Sequence, residues 1–218
     1  MSESKLSLKK KRIRSLFLTY EKSSKSKEDI EDELINVGLK YIQMRLPIEK
    51  ITSDFELKIK KKVEQNMLRA KIREAKLEDL ENIKNIYNRA WLTSNEPYSP
   101  ITIEALKDIY NYQDTVILIA RVYGNDAGFI ILDREGPNKE YGIICGLGVE
   151  IRYQRKGLGT VLGLEAWNYF KEKGVSELRC EVYEKNSASQ FFINSMGFEE
   201  YGVKVYKRND FALDKELE

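Results

Sequence analysis

The chain predicts an α/β fold, helices set around a mixed sheet, and three features carry that reading. Strand-length apolar or alternating runs recur between stretches whose apolar residues fall at helical spacing. A tight-turn signal, Gly124-Asn125-Asp126, joins two such runs into a hairpin. A glycine-bearing segment, Gln154-Arg155-Lys156-Gly157-Leu158-Gly159, joins the apolar run at residues 141–149 to a helical stretch at residues 160–170. The 218 residues are 42% hydrophobic and 33% charged, enough for one substantial core with an appendage, or for two small domains.

The first 66 residues differ from the rest: they hold 16 Lys or Arg against 11 Asp or Glu, a charge of +5 that leaves −3 for the remainder. Ser23-Ser24-Lys25-Ser26-Lys27 reads as a linker. Residues 28–42 carry Ile30, Leu34, Val37 and Tyr41 at helical spacing behind an acidic first turn, and Pro47 closes that helix. A second helix begins at Thr52-Ser53-Asp54, whose side chains can cap it, with Phe55, Ile59 and Val63 on one face. Two short amphipathic helices cannot bury both stripes against each other. The extension at residues 1–66 is therefore expected to cover the domain that follows, at residues 67–218, or to pair across a two-fold axis, with a homodimer favoured.

From there the elements alternate. Residues 68–73 form a short strand, and residues 77–91 a helix with Leu80, Ile83, Ile86 and Tyr87 facing inward. A polar loop with Pro97 and Pro100 leads to a helix at residues 103–110. Strands at 115–122 and 127–132 make the hairpin, and another strand ends at Val149. A long helix runs to Lys173 and turns at Gly174. A strand at 178–183, a short helix at 188–195 and a strand at 202–208 complete the sheet, and the charged tail from Asp210 should fray.

Composition excludes several chemistries. The chain has no His, so Ser-His-Asp and Cys-His hydrolysis, His-ligated zinc and His proton shuttles are ruled out. Cys145 and Cys180 lie in predicted strands among apolar neighbours, which suits core thiols in a reducing cytoplasm and makes no metal motif. Leu16-Phe17-Leu18, after the basic Lys9-Lys10-Lys11-Arg12, is too short for a signal sequence, and no run approaches a membrane span. The acidic residues interleaved at 28–33, and the lack of a recognition-helix pattern, argue against nucleic acid as a partner.

A glycine turn between strand and helix presents free backbone N–H groups and the positive end of the helix dipole to one point, which suits a phosphate. Arg155 and Lys156 add charge, while a basic surface turn remains the plain alternative. The spacing is neither a dinucleotide-binding GxGxxG nor a P-loop. It resembles the Q/R-x-x-G-x-G/A pyrophosphate loop of the GNAT acyltransferase superfamily, with Gln154, Gly157 and Gly159 at the defining positions. Downstream, Asn186, Ala188, Phe191, Phe192 and Met196-Gly197-Phe198 match that family's N-x-x-A…F/Y…G-F ending. The resemblance covers residues 67–218 and implies a mixed, mostly antiparallel sheet flanked by helices, with a small helical N-terminal extension.

It also implies acetyl-CoA as co-substrate without a metal. The pyrophosphate would sit on the amides of Arg155, Lys156, Gly157, Leu158, Gly159 and Thr160, next to Gln154. Leu147, Gly148 and Val149 would pair with the pantetheine arm and polarise the thioester carbonyl. An ordinary core strand is the alternative, against which Gly146 and Gly148 weigh. Glu181 stands where ribosomal-protein N-terminal alanine acetyltransferases carry a glutamate described as general base. It fits a solvent-facing strand residue equally well. Glu150 is a weaker candidate. Asn186 would bond the pantetheine amides, unless it only shapes a turn. Ile193 stands where the family commonly has a Tyr that protonates the thiolate, so a dedicated acid would have to come from Tyr183, Tyr201 or Tyr206, unless water protonates the thiolate. Trp91, Pro97, Tyr98 and Pro100 offer an acceptor rim, with Glu96 as counter-charge; anchoring of the loop is the plain alternative.

Two functions follow. One is acetyl-CoA-dependent transfer to a primary amine of a protein N-terminus, a lysine or a small molecule. The other is a silent acyl-CoA-binding regulatory or interaction module.

Overall fold

The computed structural model of the protein describes residues 38–64, 68–94, 96 and 100–207. Seven strands form one sheet: β1 Leu39–Pro47, β2 Ala70–Glu74, β3 Val116–Val122, β4 Asn125–Glu135, β5 Tyr141–Val149, β6 Glu177–Tyr183 and β7 Glu199–Tyr206. Five α-helices flank it: α1 Ser53–Glu64, α2 Leu80–Leu92, α3 Ile103–Tyr110, α4 Leu158–Glu172 and α5 Ser187–Ser195. The spatial order is β2-β3-β4-β5-β6-β1-β7, and only β5 and β6 run parallel.

The N-terminal part departs from expectation. Residues 39–47 are the strand β1, not the end of a helix, and β1 lies inside the sheet between β6 and β7. The helical stripe Ile30, Leu34, Val37 and Tyr41 competes in this region with a two-residue period. Ile42, Met44 and Leu46 share one face, and Tyr41, Gln43 and Arg45 the other. Gly38 decides against a helix crossing into residue 42. It sits at φ +85°, and a Cβ there would lie 2.9 Å from the Tyr206 carbonyl oxygen. Pro47 closes a strand, and the expected helix over residues 28–37 lies outside the described residues. A boundary at residue 66 therefore does not separate two folded units, because β1 supplies the only pairing partner between β6 and β7 in this sheet.

The second N-terminal helix is where the sequence placed it. The Thr52 hydroxyl accepts from the Phe55 backbone N–H at 3.3 Å, a cap for the first turn of α1. Ile59 is fully buried, and the Phe55 ring meets Trp167 of α4 at 5.3 Å. Lys171 of α4 donates to Glu56 at 2.9 Å. The stripe covers the domain itself, the first of the two alternatives. Gly197 takes part: at φ +91°, a Cβ there would lie 2.7 Å from the tip of the Phe55 ring.

Two cores sandwich the sheet. On one face α1 and α4, with Met196 and Phe198, enclose Met44, Leu46, Ile130, Leu132, Leu178 and Cys180. On the other, α2 and α3 cover Ile117, Ile119, Phe129 and Ile131, and Tyr87 of α2 stacks between Trp91 and Phe129. Each such fully buried side chain contributes about 1.5–3 kcal/mol. The hairpin turn is tighter than expected: Tyr123 and Gly124 take positive φ (50° and 83°) as its two central residues, and Asn125 already pairs with Val122.

The sheet is parted in the middle. β5 and β6 pair only at Tyr141–Glu177, Gly142–Leu178 and Ile143–Arg179. Past that point β5 stays with β4 and β6 stays with β1. The β4–β5 register jumps between Ile131 and Leu132, whose partners are Gly146 and Ile144, so Cys145 is the extra residue of a bulge. A bulge bends and twists its strand, which fits the divergence that starts here.

Candidate active site

The sequence-predicted loop closes one end of the parting. Gly157 is the N-cap of α4 at φ +80°, and Arg155 takes φ +57°, so the chain turns sharply into the helix. The first intrahelical bond is from Val161 N–H to the Gly157 carbonyl at 3.1 Å. The N–H groups of Leu158, Gly159 and Thr160 precede it and have no helical acceptor, which leaves a positive helix end suited to an anion. Arg155 and Lys156 are exposed beside it.

Each glycine has its own reason. Gly157 needs the left-handed conformation. Gly159 does not; a Cβ there would meet the Phe192 ring at 3.3 Å and, farther off, the Leu147 side chain at 3.9 Å. Its absence lets α5 and β5 close on the first turn of α4. Gly148 makes room for a ring, since a Cβ there would lie 2.5 Å from Phe129. Gly148 thus makes room for a core ring rather than for a backbone, and the bulge falls at Cys145, beside Gly146.

Gln154 braces the loop. Its Nε2 donates to the Val149 carbonyl at 3.0 Å and to the Thr93 hydroxyl at 3.1 Å, tying the loop to the end of β5 and the end of α2. Leu147, Gly148 and Val149 pair with Ile130, Phe129 and Gly128 of β4. Their other edge faces the parting. Glu150 takes part in an ion pair with Arg89 at 3.2 Å, which gives it a structural occupation.

Glu181 lies on β6 in the parted half, flanked by two donors from strands on its other side. Gln43 of β1 donates Nε2–H to Oε1 at 3.3 Å, and the Tyr206 hydroxyl of β7 donates to Oε2 at 2.8 Å. Burial first, and then the negative charge of Glu181, push the Tyr206 hydroxyl far above the ordinary phenol range. Tyr206 is therefore a fixed donor and a poor proton source. Tyr41 meets both Tyr183 and Tyr206 with ring centroids 5.6 Å apart, forming an aromatic wall beside this carboxylate.

A second carboxylate stands on the same side of the sheet. Glu96 accepts from the Tyr41 hydroxyl at 2.5 Å and from the Trp91 indole at 3.2 Å, so the expected rim residues Trp91 and Glu96 do meet. Pro97 and Tyr98 lie outside the described residues. Asn186 is buried, and its Oδ1 accepts from Ser189 N–H at 3.2 Å as the N-cap of α5; its Nδ2 is left as the donor for any other partner. Ile193 packs against the core, so α5 brings no hydroxyl at that place. Tyr201 is on β7 with Arg45 and Arg179 within 5.7 Å and 5.5 Å of its ring. Among the described residues no cluster of His, Cys, Asp or Glu could hold a metal ion, and no helix is long and apolar enough to cross a membrane.

The loop, β5, Glu181 and Asn186 were singled out from the sequence, whereas the contacts of Gln43 and Tyr206 with Glu181 and of Tyr41 with Glu96 were not. The two-residue alternation from Ile42 to Leu46 was the signal for the strand that carries Gln43 and Tyr41.

A comparison with curated proteins finds no match. Solved structures do match. An aminoglycoside N-acetyltransferase in complex with CoA superposes with TM-score 0.54 at 18% identity, over 66% of this chain and 97% of that one. An aminoglycoside acetyltransferase from an uncultured soil metagenomic sample, in complex with sisomicin, gives 0.53 at 20% over 63% and 94%. The ribosomal-protein-S18-alanine N-acetyltransferase from Escherichia coli gives 0.52 at 22% over 61% and 79%. At these identities the likeness speaks for the fold alone. The model of the Acetyltransferase (GNAT) family matches residues 80–198, more than half of the chain. The chain belongs to the GNAT family of acetyltransferases, whose general reaction is acetyl-CoA-dependent N-acetylation.

Proposed function

We propose that the protein moves an acetyl group from acetyl-CoA directly to a primary amine, with Glu181 as proton acceptor. The observation that carries this reading is the parting of β5 from β6. It joins an anion-binding helix end on one side to a carboxylate held by two donors on the other. The amides of residues 155–160 would take the pyrophosphate, with Arg155 and Lys156 adding charge. The edge of Leu147, Gly148 and Val149 that faces the parting would line up the pantetheine arm, and Asn186 Nδ2 would bond one of its amides. A backbone N–H on that edge would polarise the thioester carbonyl.

The amine nitrogen attacks that carbon, the C–N bond forms, and the tetrahedral intermediate expels the thiolate as the C–S bond breaks. Glu181 accepts the proton released from the amine. The thiolate takes its proton from solvent, because Ile193 supplies none and Tyr206 holds its own. A protein N-terminus or lysine is the favoured acceptor, ahead of small amines. The structural neighbours include both an aminoglycoside acetyltransferase in complex with sisomicin and a ribosomal-protein-S18-alanine N-acetyltransferase. Neither Cys145 nor Cys180 is in a disulfide, which suits the cytoplasm.

Ile193 in the usual Tyr position favours a second reading, a module that binds acyl-CoA without turning it over. Thioester consumption with a panel of small amines and peptides separates the two. Amine-dependent release of free CoA supports transfer. Tight CoA binding with no release for any acceptor supports the silent module.

A further inference from the structure

We propose that Gln43 is a positioning residue for Glu181, supplied by a strand that lies outside the segment matching the family. The inference rests on the reading of Glu181 as proton acceptor. β1 lies between β6 and β7, and the register puts Glu181, Gln43 and Gly202 in one row across the three strands. Within that row the Gln43 amide points its donor at Glu181 and has room for its oxygen beside Gly202. Its Nε2 is 3.3 Å from Glu181 Oε1, and its Oε1 lies where a Cβ on Gly202 would come within 2.9 Å. The missing side chain at 202 leaves the lane in which the amide lies. Tyr206 donates to the other carboxylate oxygen, so hydrogen bonds to both oxygens orient the carboxylate.

The same strand performs a matching task two residues earlier. Tyr41, on the same face as Gln43, donates to Glu96. A strand added from the N-terminal side of the family segment (residues 80–198) thus holds both carboxylates on the α2 side of the sheet. A bond of 3.3 Å is long for N–H to oxygen and weak as a source of stability. Orientation of a reacting group is sensitive to small displacements, so the effect belongs in turnover.

The test is a double-mutant cycle. Gln43→Leu is made in the native chain and in a Glu181→Gln background, and turnover of acetyl-CoA with an active amine is measured against pH, with CoA affinity by calorimetry. The expected result is a kcat roughly tenfold lower for Gln43→Leu, a displaced pH profile, unchanged CoA affinity, and no added loss in the Glu181→Gln background. Gly202→Ala pushes the amide aside without removing it and should show a smaller loss in the same direction; it serves if Gln43→Leu does not fold. An equal loss in both backgrounds makes Gln43 merely structural and overturns the proposal. So does unaltered turnover in both Gln43→Leu and Gly202→Ala while Glu181→Gln is crippled. Unaltered turnover in Glu181→Gln removes the underlying reading first, and the proposal with it.

Discussion

The Tyr206 hydroxyl reaches across β1 to the Glu181 carboxylate at 2.8 Å, so the last described strand of the sheet holds a residue in the parted strand β6. Neither residue alone reveals this. Glu181 alternates with Cys180 and Val182 as any strand glutamate would, and Tyr206 lies beyond the family segment. Their contact gives Glu181 a fixed orientation, and the raised Tyr206 hydroxyl remains a donor throughout the range in which a carboxylate is ionised.

Tyr206→Phe keeps the ring packing on Tyr41 and removes only the donor. Turnover should fall about tenfold with CoA affinity unchanged, at a stability cost of about 1 kcal/mol. Steady-state kinetics beside a urea titration measures both. A variant as active as the native chain would detach Tyr206 from catalysis.

Gly157→Val places a β-branched residue at φ +80°, where an L side chain is strained by about 1–2 kcal/mol. Relief of that strain turns the amides of the first α4 turn away from their common point. CoA affinity should fall tenfold or more in calorimetry, while the circular dichroism spectrum is retained. Native affinity would show that the helix end does not hold the pyrophosphate.

A chain starting at residue 67 lacks β1 and α1. Sequence patterning alone would keep it folded, since it retains the whole family segment. The sheet order says otherwise: β7 would have no neighbour and β6 would lose its antiparallel partner. The truncated chain should lose cooperative thermal unfolding and expose apolar surface to a dye. A sharp transition near that of the full chain would contradict the role given to β1.

This is also where the sequence was least legible. The helices α2, α3 and α4 were readable because each keeps one apolar stripe, with Gly174 ending α4. β5 and the loop were readable because glycines and an apolar run leave few alternatives. β1 was hidden because a helical stripe entering from residue 30 overlaps a strand period at Tyr41, and single-sequence patterning has no means to weigh the two. The choice is made by partners distant in sequence, Tyr183 and Lys204, which pair with Tyr41 from either side. The contacts of Gln43 and Tyr206 with Glu181 were invisible for the same reason.

Asp79 sets part of the acid stability. Two hydrogen bonds from Arg73, both 2.7 Å, and one from the Lys76 N–H hold its carboxyl at about 2, against an ordinary 3.8. A depressed carboxyl contributes stability that is complete above pH 4 and lost as pH falls towards 2. Allowing for screening at the partly exposed Arg73, that contribution is on the order of 1–2 kcal/mol. Asp79→Asn should be less stable than the native chain at pH 6, with the gap closing near pH 2. Urea denaturation across that range checks it; a gap independent of pH would assign the effect to packing.

The central claim is that Glu181 accepts the amine proton in the opening between β5 and β6. Its most direct test is the rate of acetylated-amine formation by Glu181→Gln, followed by mass spectrometry from pH 6 to pH 9 beside CoA affinity. The expected result is turnover lower by roughly 10²-fold or more with CoA affinity unchanged. A variant that forms product at the native rate across that range would contradict the claim.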